Sequence, residues 1–314
     1  MHTNALGCIN LVFKEDFKEA EKKAKSLIRE NPDHPSGYFF YASVLNYWMI
    51  YYQSTRKENL FYQQCDRAIE KANILLKKNK HDYWALFFKG GAEGIKGTYE
   101  ARFERWITAF RNGWKGYSLL SELAEKNNKI FDAHYGLGSY EYWRSSMTKK
   151  LKWMPGIGDK RAEGMQKIKI AMSRGKYTRL TAHEEMIKVY LNEKAWSKAE
   201  QLSIDMLEKY PGAVLFTWYL AEAQYHLGKL EKAEDRYKYL LGRVEAESYD
   251  NHYNAALCHY WLAKIYYNLK RYTQCVAECN RMRYYKFTVD IQKRLESELA
   301  EADKLRKQAE QARK

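Results

Sequence analysis

Two stretches of the chain hold residue types that could do chemistry. The first, GIGDKRAEG at 156–164, spaces its glycines as a phosphate-cradling loop would. It lacks the Gly-Lys-Ser/Thr ending, and no apolar strand precedes it. The spacing therefore predicts a turn shaped by Pro155 and the glycines, with Asp159 capping the helix that follows and an anion able to visit that helix start. The second is Cys275 and Cys279, four apart on one predicted helix, with Cys258 and His259 on the helix before. That set could ligate a metal, but both later cysteines fall in small core slots where a thiol acts as a compact hydrophobe. The eight histidines are scattered, and no serine, cysteine or carboxylate pair stands in a nucleophile context. The expectation is no enzyme, no metal and no cofactor. A third stretch, FDAHYGLGSYEYWRSS at 131–146, sets crowding rings beside glycines that make room. Those are the materials of a recognition surface next to a close helix crossing.

The elements that would position these residues are helices. Four prolines in 314 residues, with abundant Ala, Leu, Lys, Glu and Tyr, give an all-α expectation. A net charge of +15 favours acidic partners, although acidic and basic residues interleave, as in KEDFKEAEKKAK. Five cysteines without a paired pattern fit reduced, buried thiols. The longest charge-free apolar run, residues 38–52, is shorter than the about 20 residues a bilayer needs, which leaves peripheral association as the one membrane role. With no signal peptide in view, the expectation is a soluble protein of the cytoplasm, or of the periplasm if a leader has been trimmed. Oligomeric state is not written in the sequence.

Internal comparison exposes a repeat. Asn31, Asn79 and Asn127 share one slot, Leu27, Leu75 and Leu123 a second, and Ala20, Ala68 and Gly116 a third, each 48 residues apart. Ala42, Gly90 and Gly138 mark a partner helix at the same interval. Later the interval shortens to 34 between Ala199 and Ala233, and Cys275 takes the same slot after a longer connector. The unit is a pair of helices that cannot bury both its faces alone, so neighbours must stack.

These spacings resemble the tetratricopeptide repeat, whose unit is about 34 residues. KAEQLSIDMLEKYP, ending in Pro211, and YLAEAQYHLGKLEKAEDRY, with Ala221, Gly228 and Ala233, carry the likeness, as does Pro32 in the first copy. The resemblance implies a right-handed superhelical solenoid of about six to seven helical hairpins spanning 1–286. Its early units are stretched by about 14 residues relative to that consensus. Residues 287–314 would form a C-terminal capping helix, with Ile291, Leu295, Leu299 and Leu305 as a narrow apolar stripe. The segment LKWMPGIGDKRAEGMQKIKIAMSRG also resembles the inclusion-body-clearance family of such proteins.

The same resemblance implies that the first helix of each pair lines a concave groove. Its slots hold Phe39, Phe87, Tyr135, Trp218 and Tyr260, then Tyr142, Tyr225 and Tyr267, with Trp84, Trp143, Lys188, Glu222 and Lys264 beside them. Rings with few rotamers and polar tips suit a surface that takes a peptide segment or protein partner, acidic if the net charge steers it. Single-stranded RNA could stack on the same rings, but related helical-repeat RNA readers place small polar residues there, so nucleic acid is disfavoured. A glycan or small ligand is a further alternative, and interior packing of the rings is the competing structural reading.

Overall fold

The computed structural model describes residues 2–150, 158–247 and 252–313. Among them the secondary structure is sixteen α-helices and no strand. In chain order they are α1 (His2–Phe13), α2 (Phe17–Glu30), α3 (Pro35–Tyr51), α4 (Glu58–Lys78), α5 (Tyr83–Arg102), α6 (Trp106–Lys126), α7 (Ala133–Lys150) and α8 (Arg161–Arg174). Then come α9 (Arg179–Asn192), α10 (Trp196–Lys209), α11 (Val214–His226), α12 (Leu230–Glu245), α13 (His252–Asn268), α14 (Tyr272–Tyr284), α15 (Val289–Arg294) and α16 (Glu296–Ala312). The fold is an all-α solenoid of two-helix repeats with long helices in its early copies: α4, α5 and α6 have 21, 20 and 21 residues, against 14 and 13 in α10 and α11.

Each slot found by counting has a physical duty. Asn31, Asn79 and Asn127 are the C-caps of α2, α4 and α6, at φ −143°, −143° and −147°, and each donates its backbone N–H to the leucine carbonyl four residues back. Asparagine suits the slot because its side chain folds back on the chain: Asn79 Oδ1 accepts the His81 N–H at 2.9 Å and Asn127 Oδ1 the Lys129 N–H at 3.0 Å. The small slots are fully buried at Ala20, Ala42, Ala68, Ala199, Ala233 and Cys275.

Glycine is needed where paired helices approach closest. A Cβ on Gly138 would stand 2.5 Å from the Gly164 carbonyl oxygen, and one on Gly116 2.8 Å from that of Gly90. Among the described residues the turn inside a two-helix unit repeats a left-handed residue, at Glu15, Gln53, Glu104, Lys194 and Lys270, with glycine in that place at Gly228.

The chain divides into two compact units, residues 1–49 with 55–189, and residues 50–54 with 190–314. In the second unit the Tyr51 and Tyr52 hydroxyls donate to Glu247, and the Arg294 guanidinium donates to the Gln53 carbonyl. The C-terminal segment is two helices rather than one, broken at Leu295, which is itself fully buried. Along α16 the residues buried against α13 and α14 are Ala302 and Ala309; Leu299 and Leu305 pack at the margin. Among the described residues no helix is long and apolar enough to cross a membrane.

The two chemical-looking stretches resolve into structure. Residues 151–157 lie outside the described residues. Beyond them, Asp159 accepts the Arg161 N–H at 3.1 Å and pairs with the Arg161 guanidinium at 2.8 Å, at the start of α8. All five cysteines are free and buried. His259 has both ring nitrogens engaged, Nδ1 2.6 Å from Glu278 and Nε2 3.1 Å from the Tyr285 hydroxyl.

Candidate functional site

In the first unit the aromatic slots fill from within. Phe39, Phe87 and Tyr142 are buried rather than lining an open surface. Phe39 packs edge-on against Phe40 at 5.4 Å and Phe87 at 6.2 Å, and Trp84 lies 5.5 Å from Phe87. Beside them lies Tyr177, between α8 and α9, whose ring meets Phe40 at 5.4 Å and Trp84 at 5.3 Å. Asp132 anchors that turn. Its Oδ1 accepts the N–H groups of Tyr177 at 2.6 Å and Thr178 at 2.8 Å, and its Oδ2 that of Lys176 at 3.1 Å. Burial, with the Asp132 carboxylate beside it, pushes the Tyr177 phenol up to about 12.

Further along the same face, α3, α7 and α9 meet through polar groups. The Tyr47 hydroxyl donates to Glu184 at 2.5 Å, and the Trp143 indole N–H donates to Glu185 at 2.5 Å. Lys188 bridges both carboxylates, at 3.5 and 2.6 Å. The Tyr135 phenol is pushed far above its usual range, by burial first and by Glu185 second. Rings and charges that the sequence assigns to a groove thus satisfy one another here. Interior packing describes Phe39, Phe87 and Tyr142, while Trp84, Tyr135, Trp143 and Lys188 stay partly exposed.

In the second unit Trp218, Tyr225, Lys264 and Tyr267 are all partly exposed, while Tyr260 is buried. Trp218, Glu222 and Tyr225 follow one another at helical spacing on α11. From Trp218 the rings run on without a gap: to Tyr237 at 5.7 Å, from Tyr237 to Trp261 stacked at 5.6 Å, and from Trp261 to Tyr225 at 5.0 Å. Lys264 Nζ lies 5.8 Å from the Tyr225 ring centroid and 5.1 Å from that of Trp261. Its charge is already matched, by Glu301 of α16 at 3.1 Å, and the Tyr260 hydroxyl donates to the same carboxylate at 2.5 Å. Burial alone would lower the Lys264 pKa; the Tyr260 and Glu301 contacts outweigh it and raise it.

Sequence reasoning named Glu222 among the neighbouring slots but missed Trp261 and Tyr237. Trp261 adjoins Tyr260 and could have been read with it. Tyr237 sits in the core periodicity of α12 and carries no signal of its own.

A family model for the tetratricopeptide repeat matches residues 196–248. No curated protein matches the chain by sequence. Among solved structures, the APC/C hetero-tetramer Cut9–Hcn1 aligns with a TM-score of 0.57 at 12% identity, over 97% of this chain and 54% of that one, so the chain spans about half the length of that relative. PilW, a type IV pilus biogenesis factor, aligns at 0.49 with 14% identity, covering 81% of this chain and 98% of its own. A repeat protein from Parabacteroides merdae aligns at 0.41 and 12% identity, covering 98% of each chain. The inclusion-body-clearance resemblance gains nothing from these matches.

Proposed function

We propose that this all-α chain, whose residues 196–248 match the tetratricopeptide-repeat model, is a non-enzymatic adaptor that docks a peptide segment of a protein partner on the α11–α13 face of its second unit. One observation carries this reading. Trp218, Tyr225 and Tyr267 stay partly exposed, as Trp84, Tyr135 and Trp143 do in the first unit, but there Trp143 is tied to Glu185 and Trp84 packs on Tyr177, whereas Glu222 beside Trp218 and Tyr225 has no partner among the described residues. Aromatic side chains held rigid by their neighbours and left partly open provide contact area with little rotamer entropy to lose on binding. The net charge of +15 speeds encounter with acidic partners. The face itself draws its affinity from ring burial, because Lys264 is neutralised by Glu301.

Affinity purification with the wild type and with a Trp218→Ala/Tyr225→Ala double variant tests the reading, with circular dichroism confirming that both are folded. At least one partner should disappear with the variant. Identical partner lists would rule out this face as the docking surface.

A further inference from the structure

Within the α11–α13 face one charge is left unmatched. Among the described residues Glu222 has no hydrogen bond or ion pair, and burial raises its carboxyl above its ordinary value. Every other carboxylate described above in this unit has a donor: Glu247, Glu278 and Glu301 accept from tyrosines, a histidine or a lysine. Beside Glu222 lies a second unsatisfied group. The Tyr237 hydroxyl is fully buried and has no partner, and Glu222 is the ionisable group that acts on it most strongly.

A buried hydroxyl left unpaired destabilises the fold, so a ligand that supplied a donor would recover that free energy. The surroundings say what kind of donor. Glu222 emerges between Trp218 and Tyr225, and the ring series Trp218, Tyr237, Trp261 and Tyr225 surrounds that position. Electron-rich ring faces around a carboxylate attract a cation and repel an anion. Among the described residues Lys264 is the one cation placed over these rings, and Glu301 cancels it.

We propose that the box formed by Trp218, Glu222, Tyr225, Tyr237 and Trp261 receives the basic side chain, lysine or arginine, of a docked peptide. The assignment rests on the docking face proposed above and deepens it. The ammonium or guanidinium pairs with Glu222, donates to the Tyr237 hydroxyl, and lays its methylene stem on the two indoles. The overall charge of the chain speaks for acidic partners, so the proposal makes the local environment outweigh the net charge at this one position.

The test uses three blocked pentapeptides, alanine throughout except for a central lysine, norleucine or glutamate. Binding to the full chain is followed by the Trp218 and Trp261 indole resonances, assigned with Trp218→Phe and Trp261→Phe. The lysine peptide should shift both resonances and bind about tenfold more tightly than the norleucine peptide. Glu222→Gln should bring lysine down to the norleucine level, and Tyr237→Phe should weaken it less. Neither variant removes a native contact, so both should fold. Equal binding of lysine and norleucine, or no effect of Glu222→Gln, would overturn the assignment. Shifts produced by the glutamate peptide alone would keep the docking face and overturn the basic side chain. Silence from all three peptides would also overturn it, leaving the docking face to be judged by the purification experiment.

Discussion

The two units place the same residue types in matching repeat slots but satisfy their polar groups differently. In the first, rings and carboxylates from α3, α5, α7 and α9 meet one another: Tyr177 closes on Phe40 and Trp84, and Glu184 and Glu185 collect Tyr47, Trp143 and Lys188. In the second, the rings of α11, α12 and α13 touch in series, and Trp218, Tyr225 and Glu222 stay partly exposed. The difference teaches that an aromatic slot is a site only where no segment of the chain supplies the partner. The first unit has such a segment, the turn that Asp132 holds in place.

The largest effect that would break the comparison is therefore at Asp132. Asp132→Ala leaves three N–H groups unpaired, two of them buried, and frees Tyr177, and should cost about 3 kcal/mol in urea unfolding. Glu222→Ala in the second unit, which removes no bond, should cost no more than about 0.5 kcal/mol. Comparable losses would mean that Glu222 has a structural partner and that the contrast is false.

A smaller effect concerns how closely the paired helices cross. Gly138→Ala drives a Cβ to 2.5 Å from the Gly164 oxygen and 2.9 Å from the Ile168 nitrogen, both of them backbone atoms. The helices must separate, at a cost of about 2 kcal/mol. In the second unit Ala199 already carries a Cβ in the fully buried small slot, so Ala199→Gly should cost only about 1 kcal/mol, mostly in helix propensity. A neutral Gly138→Ala would show that the crossing is looser than its glycines imply.

The smallest effect is a difference in pH slope. Glu21, in the first unit, would be raised by burial, but Lys25, Lys57 and Tyr41 overrule that and lower it from 4.5 to about 2. Its contribution is present in full above pH 4.5 and fades as pH falls toward 2. Glu222 is raised above 4.5, so its folded form holds a proton that the unfolded chain has released, and stability declines as pH rises through that interval. Glu21→Gln should flatten the acid limb of the stability profile, and Glu222→Gln should raise stability at neutral pH. Thermal unfolding between pH 2 and 7 would show both, and parallel profiles for the two variants would erase the distinction.

The repeat was legible because its slots are short-range. A C-capping asparagine, a buried alanine and a helix-crossing glycine each act within one two-helix unit, so a fixed interval exposes them: Asn31, Asn79 and Asn127 cap helices just where the counting placed them. Gly138 also meets its paired helix as its spacing required. Other features were not legible for the opposite reason. Asp132 bonds residues some forty-five positions away, and Tyr47 reaches Glu184 across 137. No periodicity in α7 or α3 announces those partners. The left-handed turn slot is also hidden, because Glu104, Lys194 and Lys270 occupy it where a glycine would have signalled it.

By itself the sequence determined the helices and their pairing period, since these follow from residue spacing along one helix and from caps a few residues distant. Only the tertiary structure decided which inward rings are sealed, because sealing depends on a turn or helix brought back from far along the chain. Phe39 and Trp218 occupy the same slot of the same repeat; Phe39 lies beneath its own neighbours, and Trp218 is still partly in water.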